Sequence, residues 1–185
     1  KQYTWIMSSK LTVGSLFSGI GGLELGLEMT GGFETLWQVE WDDYASSVLA
    51  KHWPNVARYR DVRDVYGASI GADAAGTSTP SNASGRLSLQ SRGVGSNRLA
   101  TVDLLCGGFP CQDVSLAGRR AGLGGGTTRS GLWYEYARLI GELRPRWILA
   151  ENVPGLLSAD DGGAFGKVLG DLAALGYNAW RDCIP

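Results

Sequence analysis

Histidine occurs once in this 185-residue sequence, at His52, and cysteine three times, at Cys106, Cys111 and Cys183. A single histidine leaves a Ser-His-Asp triad or a Cys/His metal cluster with little to build on. The cysteines are odd in number, sparse and not spaced as CxxC, which argues against a disulfide framework and a structural zinc, and no metal is expected. Long apolar runs are also missing. None reaches the roughly 18 residues of a membrane span, and the opening KQYTWIMSSK lacks the apolar stretch of a signal peptide, so a cytoplasmic chain with no membrane partner is expected. Nor is there an excess of one charge: 17 Lys and Arg face 18 Asp and Glu for a net charge of −1, so any nucleic-acid site must be local. What is abundant is glycine, 28 residues, about twice its usual share, which points to tight turns and close backbone approaches. The hydrophobic fraction of 44% is enough for a core, and the length suits one domain or part of a larger one.

Short apolar runs alternate with helical periodicity. Leu11 to Phe17 reads as a strand that enters the glycine cluster SGIGG, after which Leu23, Leu27 and Met29 follow at helix-compatible spacing. Phe33 to Glu40 reads as a second strand; Asp42 or Asp43 then caps a helix through Tyr44 to His52, which Pro54 stops. Val56 to Tyr59 is a third strand. From Gly67 to about Ala100 the chain is rich in Ser, Gly, Ala and Thr without apolar period, and is expected to be a flexible insertion. Val102 to Cys106 reads as the fourth strand, followed by a glycine-rich loop from Gly107 to Gly131. Leu132 to Leu143 is a helix ended by Pro145, Trp147 to Glu151 the fifth strand, Ala164 to Leu175 a further helix, and Tyr177 to Cys183 the start of a sixth strand. Such alternation predicts an α/β fold with a parallel sheet covered on both faces, and a ligand site just beyond the carboxyl ends of the strands.

The residues at those strand ends carry chemistry. FSGIGG lets a ligand approach the backbone and opens a helix whose first N–H groups are unpaired. It departs from the GxGxxG fingerprint, so it suits a nucleotide-like cofactor and a plain tight turn equally. Glu40 ends the second strand about 20 residues on, where a carboxylate can accept from ribose hydroxyls. Asp61 suits an adenine amino group, and equally a solvated charge; Trp41 suits stacking on the ligand, and equally a gap in the core. DLLCGGFPCQ is the strongest feature: Cys106 belongs inside the strand as a core residue, whereas Cys111 stands beyond it in a glycine and proline turn, held up at the sheet edge. Its thiolate would need activation by oriented N–H groups or a cation. Arg119 and Arg120 suit that task, and phosphate contact equally well. Glu151, in ENVPG, is placed either as an acid and hydrogen-bond partner on the substrate that Cys111 attacks, or as a structural carboxylate bonding loop amides.

Taken in order, LFSGIGGLELGLE, VEWDDYA, RDV, DLLCGGFPCQDVSLAGRRAGL, RSGLWYEYARLI and ENVPGLL resemble the successive motifs of the bacterial and phage cytosine-C5 DNA methyltransferase family, over nearly the whole chain. The resemblance implies a Rossmann-like, mostly parallel methyltransferase sheet. It implies S-adenosyl-L-methionine at Phe17, Ser18, Gly19, Ile20, Gly21 and Gly22, with Glu40 on the ribose, Trp41 against the adenine, and Asp61 and Val62 at its edge. Gly108 and Pro110 match positions that shape the cofactor and cytosine pocket. Cys111 and Glu151 match the catalytic pair, and Gln112, Ser115, Arg119, Arg120 and Arg129 fall in a loop resembling the one that closes over double-stranded DNA. The stretch before Pro185 lacks the family's later arginine motif and its target-recognition domain, so residues 1–185 are expected to form an incomplete, C-terminally truncated catalytic domain, with 67–100 inserted in it. Two other functions fit the same residues: a non-catalytic cofactor- or DNA-binding module, and an RNA cytosine-5 methyltransferase.

Overall fold

The computed structural model describes residues 9–67, 97–110 and 132–184. Five parallel strands form the central sheet in the order β3-β2-β1-β6-β7. They are β1 (Leu11–Leu16), β2 (Phe33–Val39), β3 (Ala57–Tyr59), β6 (Leu104–Gly108) and β7 (Trp147–Glu151). Helix α1 (Gly22–Met29) links β1 to β2, and α2 (Asp43–His52) links β2 to β3. Helix α3 (Leu132–Leu143) precedes β7, which is followed by a short α4 (Gly155–Ser158), a 3-10 turn (Ala159–Gly162) and α5 (Gly163–Ala174).

Burial explains why these segments take these shapes. β1 is buried along its last four residues because it lies mid-sheet with helices on both faces. α3 buries Trp133, Tyr136, Leu139, Ile140 and Leu143, the stripe a 3.6-residue period produces. With Val168 and Leu172 of α5, that stripe packs on Leu16, Trp37, Val39 and Leu105 to make the main core. On the opposite face a smaller core of Val13, Leu104 and Cys106 lies beneath Leu23 and Leu27 of α1. Asp42 caps α2, its carboxylate accepting from the Ala45 N–H at 2.8 Å, as the sequence suggests.

Two close approaches set the registers. Between Val13 and Gly14 the β1–β2 pairing skips a residue of β2, a bulge that swings Trp37 into the main core. Its indole lies where a Gly14 Cβ would be, 2.1 Å from the nearest ring atom, and its Nε1 donates to the Ala100 carbonyl at 2.9 Å. Where β6 meets β1, a Cβ on Gly107 would stand 2.3 Å from the Leu16 carbonyl oxygen. The glycines of LLCGG are therefore strand residues, and β6 runs to Gly108, two residues past the expected end at Cys106.

Two expectations need correction. Within the segment assigned from Gly67 to Ala100 as a loop, its two ends pair: β4 (Tyr66–Gly67) lies parallel to β5 (Arg98–Leu99). Glu142 of α3 clamps this ladder, accepting from the Gly67 N–H at 2.7 Å. The rest of the segment, 68–96, lies outside the described residues. The sixth strand expected at Tyr177 to Cys183 does not form. The Tyr177 N–H closes the end of α5 on the Leu172 carbonyl at 2.9 Å and the Gly176 N–H bonds Ala173 O at 2.9 Å, while residues 178–184 run exposed with no described strand alongside. Apolar pattern alone cannot make a strand without a ladder partner.

Candidate cofactor cleft and strand-end site

β1 and β6 are neighbours whose connections lead to opposite sides of the sheet, so the crevice beyond their carboxyl ends is the switch point at which ligands of such folds bind. On the β1 side the chain turns through three left-handed residues, Phe17, Gly19 and Gly21, with φ of 53°, 55° and 91°. Ser18 sits buried between them, its Oγ 3.0 Å from Ser15 Oγ and its N–H donating to Val39 O at 3.2 Å. A Cβ at Gly21 would strike the Trp53 ring at 2.4 Å, which locks the rear of the turn. Gly19 and Gly22 face the other way: a Cβ on either meets nothing within 4 Å. α1 begins at Gly22 with no side-chain cap, which leaves its first N–H groups for a polar or anionic ligand group. Ile20, 62% exposed, lies on the rim.

Glu40 joins this turn to the next strand end. One carboxylate oxygen accepts from the Gly19 N–H at 2.7 Å, the other from the Asp42 N–H at 2.7 Å. Each retains a second lone pair for a ribose hydroxyl. Trp41 is 66% exposed and fills no gap in the core. Asp61, beyond β3, is held by Arg63, whose side-chain and backbone donors keep the carboxyl below its usual range. Val62 turns its side chain into the main core, and its carbonyl accepts from Arg138 at 3.1 Å. An open glycine cradle, an uncapped helix start and an acceptor at the end of β2 fit a nucleoside-bearing cofactor.

On the other side of the crevice, Gly108 and Glu151 are paired in register at the ends of β6 and β7. A Cβ on Gly108 would lie 2.6 Å from Glu151 Oε2, so the carboxylate folds across the space the glycine leaves. Beyond it, Asn152 ties the two strand exits together, its Nδ2 donating to the Phe109 carbonyl at 2.5 Å while its Oδ1 accepts from the Val153 N–H at 2.9 Å. Phe109 is anchored beneath, its ring 4.8 Å from that of Trp133, and Pro110 follows at the surface. Cys111, Gln112, Ser115, Arg119, Arg120 and Arg129 lie outside the described residues. Cys106 is fully buried, and burial together with the Glu24 charge pushes its thiol up to about 12, so it is core and unreactive.

Two residues of this edge have roles that no local signal in the sequence reveals. Asn152, beside Glu151 in ENVPG, bridges strand exits far apart in the chain, and nothing around Arg63 in RDVRDV shows that it grips Asp61. Among the described residues no group of three or more His, Cys, Asp and Glu is arranged to hold a metal, and no helix is long and apolar enough to cross a membrane.

Residues 11–83 and 84–182 match the family model for C-5 cytosine-specific DNA methylase. The chain is 34% identical over 171 residues to the type II methyltransferase M2.BsuMI of Bacillus subtilis, covering 90% of this chain and 35% of that protein. It is 36% identical over 180 residues to the type II methyltransferase M.Eco47II of Escherichia coli, covering 96% of this chain and 36% of that one. Among solved structures it resembles a prophage-encoded E. coli protein described as a DNA modification methyltransferase, with a TM-score of 0.57 and 25% identity over 89% of this chain and 38% of the other. It shares the fold of a Spodoptera frugiperda DNMT2 variant, with a TM-score of 0.53 and 18% identity over 88% of this chain and 41% of that one. The chain thus spans little more than a third of the curated relatives named here.

Proposed function

Given that the chain belongs to the C-5 cytosine-specific DNA methylase family, we propose that it supplies the cofactor cleft and the nucleophile of an enzyme that methylates C5 of cytosine in double-stranded DNA. The observation that carries this reading is the Gly108–Glu151 register, which sets the Glu151 carboxylate beside the strand exit that leads, three residues later, to Cys111. S-adenosyl-L-methionine, when bound, supplies an electrophilic methyl group. Phe17 to Gly22 would line its amino-acid end, Glu40 would accept from its ribose, and Trp41, Asp61 and the Val62 backbone would border its adenine.

The chain's residues then answer a reactivity problem. C5 of an aromatic cytosine is a poor nucleophile. Addition of the Cys111 thiolate to C6 breaks the C5–C6 double bond and pushes its electron pair toward C5, which becomes enamine-like and can take a methyl group. Glu151, at the N3 and N4 edge of the base, donates a proton at N3 as negative charge builds there. Once C5 carries the methyl group, loss of the C5 proton to water returns the electron pair of the C5–H bond to the ring as the C5–C6 double bond and expels the Cys111 sulfur as thiolate. The target carbon is stacked inside the duplex, so the nucleotide must be flipped out, at a cost of a few kcal/mol. Gln112, Ser115, Arg119, Arg120 and Arg129 are the residues to hold the opened DNA backbone, and their closing over the base would exclude water. Residues 1–185 would form an incomplete catalytic domain, working in the cytoplasm, with 68–97 inserted between β4 and β5.

The test is covalent trapping. Duplex DNA containing 5-fluorocytosine cannot lose its C5 substituent as a proton, so incubation with labelled cofactor should leave a stable protein–DNA adduct. Cys111→Ser should abolish it, and Glu151→Gln should slow its formation about 10²- to 10⁴-fold. Cofactor binding by the full-length protein without any adduct would refute the catalytic reading. An adduct on tRNA in preference to DNA would redirect it to RNA.

A further inference from the structure

Both carboxylate oxygens of Asp61 are held by Arg63. Its Oδ1 accepts from the Arg63 backbone N–H and from Arg63 Nε, both at 2.9 Å, and its Oδ2 from Nε at 3.1 Å and Nη2 at 2.6 Å. A carboxylate offers about four lone-pair sites, and three N–H groups of this one residue, with the Nε–H shared between both oxygens, are aimed at them. The same guanidinium lies over the Trp41 indole, 5.8 Å from the ring centroid. A flat group bearing N–H donors thus lies within cation–π range of Trp41 and hydrogen-bonds Asp61 at once. Those are the two side chains that the adenine ring of S-adenosyl-L-methionine would meet there.

Arg63 is not built in. Its side chain is 49% exposed against 11% for Asp61, so the guanidinium can leave without opening the core. The charges of Asp64 and Glu135 also act on it, which gives the departing cation anionic neighbours. A buried, multiply anchored arginine would be part of the wall; this half-exposed one hydrogen-bonds a single carboxylate among the described residues.

We propose that Arg63 occupies the adenine subsite in the free protein and sets cofactor affinity by having to be displaced from Asp61 and Trp41. The inference rests on the cofactor reading given above and adds a determinant of its strength. Exposed ion pairs and exposed cation–π contacts are each weak, so the competition lowers affinity by about three- to tenfold without closing the site. Salt screens the ion pair and should narrow the effect.

Calorimetric titration of the full chain with S-adenosyl-L-methionine tests this in wild type, Arg63→Ala, Arg63→Lys and Glu40→Ala. Arg63→Ala should bind about three- to tenfold more tightly than wild type at low salt, with the gap shrinking as salt rises. Arg63→Lys keeps the charge but not the planar fork, and should fall between them. Equal or weaker binding by Arg63→Ala, at an unchanged unfolding temperature, would overturn the proposal. Should that variant fail to fold, Arg63→Lys decides, and affinity at or below wild type overturns it. Loss of binding in Glu40→Ala beside unchanged binding in Arg63→Ala would sink the Arg63 proposal alone. No binding by any form, wild type included, would sink the cofactor reading and this inference with it.

Discussion

Neighbouring glycines in LLCGG face different atoms, and the difference separates stability from chemistry. The Cβ of an alanine at position 107 would meet the Leu16 carbonyl oxygen at 2.3 Å, a backbone atom in the central strand that cannot step aside. Gly107→Ala is therefore expected to cost about 1 to 3 kcal/mol of unfolding free energy, read from urea denaturation. At position 108 the obstruction is Glu151 Oε2, at 2.6 Å, the end of a flexible and exposed side chain. Gly108→Ala should leave the urea midpoint within error of wild type while displacing the Glu151 carboxylate, so adduct formation on 5-fluorocytosine DNA should fall with the fold intact. Loss of stability at 108 equal to that at 107 would mean that Glu151 is fixed by more than its own side chain. The same logic bears on Asp61 and Glu40: both are carboxylates just beyond strand ends, but one is gripped by the side chain and backbone N–H of Arg63 in its own loop, while the other takes two backbone amides that leave each oxygen a lone pair.

Between elements, the far end of the sheet is pinned by one carboxylate. Asp103 enters β6 with its Oδ2 accepting from the Thr12 N–H at 2.9 Å and the Thr12 Oγ1 at 2.8 Å, while its own N–H donates to Thr12 O at 3.1 Å. Its carbonyl accepts from the Trp147 N–H at 2.9 Å, so β1, β6 and β7 are registered through one residue. The Thr12 backbone and then side-chain hydrogen bonds hold the Asp103 carboxyl below its ordinary value of 3.8. A depressed carboxyl stabilises the fold above its unfolded pKa, and that contribution is lost as pH falls through the folded value. Asp103→Asn should accordingly unfold at about 0.5 M lower urea at pH 7, and the gap to wild type should close as the pH is taken below about 4. A gap that persists in acid would assign the effect to shape and not to charge. The opposite end depends on Asn152, whose bridge from β7 to the Phe109 carbonyl holds the exit that leads to Cys111.

Across the whole molecule the two faces of the sheet are unequally covered. Among the described residues the main core runs from Leu16 to Leu172 under α3 and α5, whereas the apolar core beneath α1 on the other side is Val13, Leu104 and Cys106. In register beside Leu104 and Cys106, Trp147 and Leu149 of the edge strand are left 56% and 39% exposed. An apolar edge strand of this kind favours association. Light scattering should find this chain self-associating as its concentration rises, and Trp147→Lys combined with Leu149→Lys should suppress that with unchanged circular dichroism; association that survives both changes would place the sticky surface elsewhere. The local pattern was sufficient for much of this architecture. Leu132–Leu143 and Trp147–Glu151 carry their periods and stops within a few residues, and FSGIGG and ENVPG mark the strand ends by turn chemistry that needs no distant partner. What the chain order alone could not decide was anything that takes its meaning from residues far away. The bulge that seats Trp37 over Gly14, the strand that runs on to Gly108, the failure of Tyr177 to Cys183 to find a ladder, and the fold of Glu151 across a missing Cβ all depend on which strands lie side by side. Propensity is a property of a short segment, and pairing is a property of the packed sheet.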